Sequence, residues 1–227
     1  MNLKRNFINH CKDHQYEINK DQLEIINHLK IYYSKNFTQS FFKKIFKRKN
    51  NRLGFYLVGD VGVGKTMILN FFFKELKEKK LRLHFNEFMI KFHDFIFKNE
   101  NKKNGIELFV KELKRNTELI YFDEFQVTNI VDAMILGKLF DKIFSENIKI
   151  IITSNIKISE LYKDGLQRDQ FKPFIEIMQK RTIEHELIIE DDYRKSKENQ
   201  NERYFSPLNQ ESNFKMNKFF RTISKDR

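Results

Sequence analysis

"GFYLVGDVGVGKTMI", residues 54–68, passes from an apolar run into a glycine loop and out into an amphipathic segment. The run at residues 55–58 predicts a short strand, and the pattern after the loop predicts a helix to about Lys80. Between them Gly59, Asp60, Val61, Gly62, Val63, Gly64, Lys65 and Thr66 match G-x-x-x-x-G-K-[ST]. A loop set between strand and helix in this way suits phosphate. Glycine lets the backbone wrap closely, and loop amides with a helix N-terminus favour an anion. Lys65 would reach the β- and γ-phosphates, and the Thr66 hydroxyl would hold Mg²⁺. The chain has only seven glycines, and Gly54, Gly59, Gly62 and Gly64 all fall here, so a chance match is a poor rival.

A phosphate loop of this kind needs an acid on a neighbouring strand. "LIYFDEFQVTNIVDAMIL", residues 119–136, supplies two at the end of a greasy stretch. Asp123 would hold the metal through water, and Glu124 would activate the attacking water as general base. The rival is a strand that merely reaches solvent. The expected arrangement sets this strand directly beside the loop strand. An N-K-x-D guanine-reading sequence is missing, and the adjacent Asp–Glu pair is typical of AAA+ ATPases, so ATP is favoured over GTP.

The following apolar strand ends in "TSN". Asn155 there would orient the water or touch the γ-phosphate, unless it is a turn residue. In "LYKDGLQRDQF", Arg168 precedes a helix and is a candidate arginine finger toward a neighbour's nucleotide; the alternative is an exposed helix-start arginine. Arg181 is a second candidate.

Outward from these motifs the chain alternates strands and helices. Residues 15–49 read as helical, with Asp21 as N-cap. "LRLHFNEFM" reads as a strand entering a helix near residues 88–97, followed by a polar loop at 98–105 and a helix at 106–116. A long helix is expected at 130–145. "IKIIIT" is apolar almost throughout, as in strands covered on both faces. Two helical pieces and a last strand in "TIEHELIIE" follow. The pattern predicts a three-layer α/β fold with a mainly parallel five-stranded sheet. Residues 1–50 form an N-terminal helical segment, 51–194 a nucleotide-binding core, and 195–227 a partial lid or tail.

With 227 residues, 40% hydrophobic and 33% charged, the chain suits one soluble α/β domain with trimmings. No apolar run approaches the roughly 18 residues of a membrane helix, and the start lacks a secretory apolar region. Cys11 is the single cysteine, which excludes an intrachain disulfide or a cysteine zinc site and makes a reducing, cytoplasmic setting the default. The net charge of +12 invites a polyanion, but Lys, Asn, Ile and Phe all have A/T-rich codons, so genome bias is the stronger reading. His84 and His93 have no matching acid cluster in sequence and read as core or loop residues, with no metal beyond Mg²⁺.

The segments "GFYLVGDVGVGKTMI", "HFNEFM", "YFDEFQVTNIVDAMILGKLF", "TSN", "LYKDGLQRDQFKPFI" and "DDYR" together resemble the ZapE family of AAA+ ATPases, from about Gln15 to Arg194. The stretch after the two acids is more specific than the phosphate loop. The resemblance implies that Lys65 and Thr66 are the Walker A pair, Asp123 and Glu124 the Walker B pair, Asn155 sensor 1, and Arg168 part of the family's GLQR signature. It also implies an adenine contact near Asp21 and Gln22. The implied cofactors are ATP and Mg²⁺. The implied partners are further copies of the chain, on ATP binding, and a protein of cell division, such as tubulin-like FtsZ, or of mitochondrial quality control. The family's helical lid is shorter here, with Arg221 the arginine that would substitute in it. Two rivals stay open: a nucleic-acid-linked ATPase of the helicase-loader type, and an ATP-binding switch that does not hydrolyse.

Overall fold

The computed structural model describes residues 2–38 and 52–189. Two helices, α1 (Leu3–Asp13) and α2 (Lys20–Asn36), precede strand β1 (Gly54–Gly59) and helix α3 (Lys65–Glu75). Next come β2 (Lys80–His84), α4 (Phe85–Lys98), α5 (Gly105–Asn116) and β3 (Leu119–Asp123). Then follow α6 (Ile130–Ser145), β4 (Lys149–Ser154), a 3₁₀ turn (Ile158–Glu160), α7 (Arg168–Arg181) and β5 (Thr182–Leu187).

The five strands form one sheet in the order β2-β3-β4-β1-β5, and every pairing is parallel. The acid strand β3 is therefore not beside the loop strand β1, as the sequence led one to expect; β4 lies between them. This insertion brings the end of β4, with Thr153 and Asn155, between the phosphate loop and the acids.

Side chains alternate across a strand, so each strand serves two cores. Tyr56, Val58, Ile120, Phe122, Ile150 and Ile152 join the cluster built with α4, α5, α6 and α7. On the other face Phe55 packs on Tyr32 of α2, and Tyr121 packs against Phe73 of α3. All six residues of β4 are buried, in keeping with a strand covered on both faces.

Local chemistry sets most boundaries. Asn19, not Asp21, caps α2: its Oδ1 accepts from the amides of Asp21 (2.7 Å) and Gln22 (3.4 Å). Asn129 caps α6 by accepting from Val131 N–H at 2.8 Å. Helix α3 stops at Glu75 rather than near Lys80, because the Lys80 ammonium folds back onto the carbonyls of Phe73 and Leu76. Helix α4 starts at Phe85, directly out of β2, since Phe85, Phe88, Met89 and Phe92 already form the buried stripe. Helix α1 lies ahead of the segment read as helical from sequence and buries Leu3, Phe7 and Cys11 on one face. The part of the helical reading that falls on residues 39–49, the end of the core with Arg194, and the lid or tail with Arg221 lie outside the described residues.

Candidate functional site

The phosphate loop leaves β1 at Gly59 and enters α3 at Lys65. Gly62 and Gly64 hold φ of 97° and 94°, a region that an L side chain adopts only with strain. The loop is pinned from outside by α2: the buried Gln22 amide donates to the Val63 carbonyl at 3.0 Å.

Lys65 is buried, and its ammonium donates to the carbonyls of Gly59 (2.8 Å) and Asp60 (2.6 Å) and to Asn155 Oδ1 (2.9 Å). The loop lysine thus meets the residue after β4, which the strand order makes its neighbour. Next along the helix, Thr66 donates its hydroxyl to Asp123 Oδ1 at 3.1 Å.

Asp123 closes β3 and is buried. Three hydroxyls donate to its Oδ1: Thr66, Tyr121 (3.1 Å) and Thr153 (2.7 Å). Arg82 of β2 pairs with its Oδ2 at 2.6 Å. Burial alone would push this carboxyl up, but the hydrogen bonds from Arg82, Thr153, Thr66 and Tyr121 outweigh it and hold it below the ordinary carboxylate value. Burial, and after it the Asp123 charge, raise the Tyr121 phenol well above its ordinary value, so it stays a donor.

Glu124 follows in a left-handed turn at φ 55° and is exposed. Both flanks of that turn are fastened. Its own N–H donates to Thr153 Oγ1 at 3.0 Å, and the next amide, Phe125 N–H, donates to the Thr153 carbonyl at 2.8 Å. Phe125 then drives back into the core against Phe85, with centroids 4.4 Å apart. Burying such a ring is worth roughly 1.5–3 kcal/mol. The turn that presents Glu124 is therefore anchored by packing on one side and by β4 on the other.

Lys65 with Asn155 and Thr66 with Asp123 and Thr153 thus form two adjacent hydrogen-bonded groups, side by side at residues 65 and 66, and the Glu124 amide joins the second through Thr153. Arg168 is tied elsewhere: at the start of α7 its Nη2 donates to the Ser159 carbonyl at 2.9 Å. Arg181 ends α7 against α6, donating to the Phe144 carbonyl at 3.2 Å, a helix-end contact. His93 sits on α4 and reaches Asp132 of α6 at 2.7 Å, an acid partner that spacing along the chain could not reveal. Among the described residues no group of three His, Cys, Asp or Glu is placed to hold a metal.

Sequence reasoning missed Arg82, Tyr121 and Thr153 as parts of the site; Gln22, which the resemblance marked only as near an adenine contact, holds the Val63 carbonyl of the loop. Tyr121 and Thr153 stand two positions before Asp123 and Asn155, so strand alternation was the available signal. Arg82 and Gln22 depend on pairing and packing across the chain.

The arrangement fits nucleotide and metal on its own terms. A buried ammonium lies along a glycine loop at a helix N-terminus, as a phosphate requires. The Thr66 hydroxyl and the Asp123 carboxylate, side by side through the hydrogen bond between them, offer the all-oxygen donors that Mg²⁺ prefers.

Solved structures of similar shape include DnaI, with TM-score 0.53 and 17% identity over 76% of this chain and 85% of that one. The DnaC helicase loader superposes with TM-score 0.52 and 14% identity, over 76% of this chain and 93% of its own. AMPPCP-bound DnaA from Aquifex aeolicus gives TM-score 0.53 and 16% identity, over 86% of this chain and 56% of its own. These likenesses establish the fold, a P-loop AAA+ sheet flanked by helices.

Sequence relatives are closer. The cell division protein ZapE of Escherichia coli is 35% identical over 172 residues, 75% of this chain and 46% of that protein. Lactation elevated protein 1 homolog B of Danio rerio is 40% identical over 137 residues, 55% of this chain and 27% of that protein. The chain spans less than half the length of the curated relatives it matches. The sequence model of one family, AFG1-like ATPase, matches residues 1–227. With the resemblance read from its motifs, the parallel sheet and this match all in agreement, the chain belongs to the AFG1-like ATPase family.

Proposed function

We propose that this chain binds Mg²⁺-ATP at residues 59–66 and hydrolyses it. The observation that carries the reading is the pair of adjacent contacts in which Lys65 meets Asn155 and Thr66 meets Asp123 across three separate elements, in a chain of an ATPase family. DnaA, which shares the fold, binds the ATP analogue AMPPCP, which supports the same ligand here. In this assignment Lys65 and the loop amides bind the phosphates. Thr66 and Asp123 hold Mg²⁺, which when bound neutralises phosphate charge. Glu124 takes the proton of the attacking water, Asn155 orients that water against the γ-phosphate, and Arg168 completes the site of a neighbouring copy.

The core assigned to this chemistry is residues 51–194, after an N-terminal segment at 1–50 and before a lid or tail at 195–227. Among the described residues no helix is long and apolar enough to cross a membrane. The proposed setting is cytoplasmic, with oligomerisation on ATP binding. The proposed partner is a protein, in cell division as the name of the E. coli relative indicates, with FtsZ the first to test, or in quality control.

Phosphate release from ATP tests the reading in the parent chain, Glu124→Gln and Lys65→Ala. Release above background in the parent, lost in Glu124→Gln with binding retained and lost with binding in Lys65→Ala, is expected. Equal background release in parent and Glu124→Gln would sink hydrolysis, and nucleotide binding lost only in Lys65→Ala would then leave an ATP-binding switch.

A further inference from the structure

The two oxygens of Asp123 are used differently. Oδ1 accepts from the hydroxyls of Thr66, Tyr121 and Thr153, at 3.1, 3.1 and 2.7 Å. Three donors use up the roughly two lone-pair sites that one carboxylate oxygen offers. Among the described residues, Oδ2 takes only Arg82, whose Nη2 lies 2.6 Å away. A metal ion or its water therefore finds the one remaining oxygen of this carboxylate covered by a guanidinium.

Arg82 is built to be there and to leave. It stands opposite Tyr121 in the register of β2 and β3 and lies over that ring at 5.2 Å, on the face from which Asp123 points. Its side chain is 43% exposed, whereas that of Asp123 is 6% exposed. Among the described residues strand β2 is the sheet edge, with no further strand beside it. Burying the carboxylate without a counter-charge is costly, and Arg82 supplies that charge. Two cations on one oxygen repel.

We infer that Arg82 is a resident cation which Mg²⁺ must displace from Asp123 Oδ2, so that metal loading and the release of Arg82 are one exchange. The inference rests on the reading of residues 59–66 with Asp123 as an Mg²⁺-ATP site. Arg82 is then a positioning residue that sets the Mg²⁺ concentration at which the site loads. Arg82 leaves the carboxylate toward solvent and keeps the Tyr121 ring face over which it already lies, a favourable resting place for a cation.

The test is Mg²⁺ titration of a fluorescent ATP analogue bound to the full chain, which reads loading without turnover. Arg82→Gln removes the charge and is expected to lower the half-saturating Mg²⁺ concentration by up to about fivefold, the upper end for a partly exposed ion pair. Arg82→Lys keeps the charge but loses the planar fork, and is expected to lie between parent and Arg82→Gln. Circular dichroism checks that each variant is folded; should Arg82→Gln fail that check, the sign of the Arg82→Lys shift decides. A half-saturation that is unchanged or raised in the folded variant, while the parent responds to Mg²⁺, overturns the inference alone. A parent chain whose nucleotide binding ignores Mg²⁺ overturns the reading of the site, and the inference with it.

Discussion

Thr153 donates its hydroxyl to Asp123 Oδ1 at 2.7 Å and, with the same oxygen, accepts the backbone N–H of Glu124 at 3.0 Å. One buried side chain on β4 thereby aims both acids at the end of β3. Replacing it with the isosteric Thr153→Val leaves the Glu124 amide and one contact of Asp123 unmet, a cost of about 1–3 kcal/mol in stability. The larger effect expected is on chemistry, because small misplacement of a reacting group costs about one to two orders of magnitude in rate. Steady-state phosphate release should show kcat falling while KM for ATP holds, with Thr153→Ser restoring most of the loss. Equal losses in Val and Ser, or a rise in KM alone, would assign Thr153 to packing.

The Lys65 ammonium donates to Asn155 and also to two carbonyls within the loop, those of Gly59 and Asp60. Asn155→Ala should therefore leave the loop and its lysine in place. On the proposed assignment, nucleotide affinity changes by only about threefold, while turnover drops roughly 10²–10³-fold, as for other single polar groups aimed at a transition state. Binding of a fluorescent ATP analogue beside single-turnover hydrolysis separates the two. A parallel fall in both would make Asn155 a holder of Lys65 and nothing more.

The phosphate loop was legible because its glycines, lysine and threonine are contiguous, and helix α6 was legible because its apolar period is local. The arrangement around Asp123 was not. Arg82 depends on the register that sets β2 against β3, and the nearness of Asn155 to Lys65 depends on β4 entering between β1 and β3. Neither is a property of neighbouring residues. Two boundaries were misplaced by a few residues: the Lys80 ammonium meets the last carbonyls of α3, and Asn19, one of several polar residues in a row that could cap, starts α2 rather than Asp21. The resemblance to a known family matched the motifs from which Lys65, Asp123, Glu124 and Asn155 were already read, and left Arg82 and Thr153 unmarked.

Gly64 caps α3 with φ 94°, and a Cβ there would lie 2.8 Å from Gln22 Nε2, the group that holds the Val63 carbonyl. Gly64→Ala is strained twice, by its backbone and by this approach, and is expected to lower stability by about 1–3 kcal/mol. Gln22→Ala removes the approach but not the backbone strain, and leaves the Val63 carbonyl without its donor. In the double variant the Gly64→Ala penalty should shrink without vanishing. Thermal denaturation of the four proteins gives the coupling; a penalty independent of Gln22 would show that the strain lies in the backbone alone.

His185 of β5 stacks on His28 of α2, with ring centroids 4.1 Å apart, and lies 4.9 Å from Phe55. Burial first, and then the like charge of His28, push its imidazole down to about 4, against a weaker upward pull from Glu24. Unfolded, the same ring titrates near its ordinary value of 6.5. Between those values the unfolded chain binds the extra proton, so stability must fall as pH is lowered from about 6.5 toward 4, and this group contributes no slope above that window. His185→Phe keeps an aromatic ring against Phe55 and His28 and removes the proton uptake. Melting temperatures of parent and variant should converge in slope above pH 6.5 and diverge below it, the variant declining more gently. Carboxylates that titrate in the lower part of the window are common to both proteins and cancel in the difference. Parallel curves down to pH 4 would mean that His185 keeps its ordinary protonation in the folded chain, and that the contact between α2 and β5 opens to water.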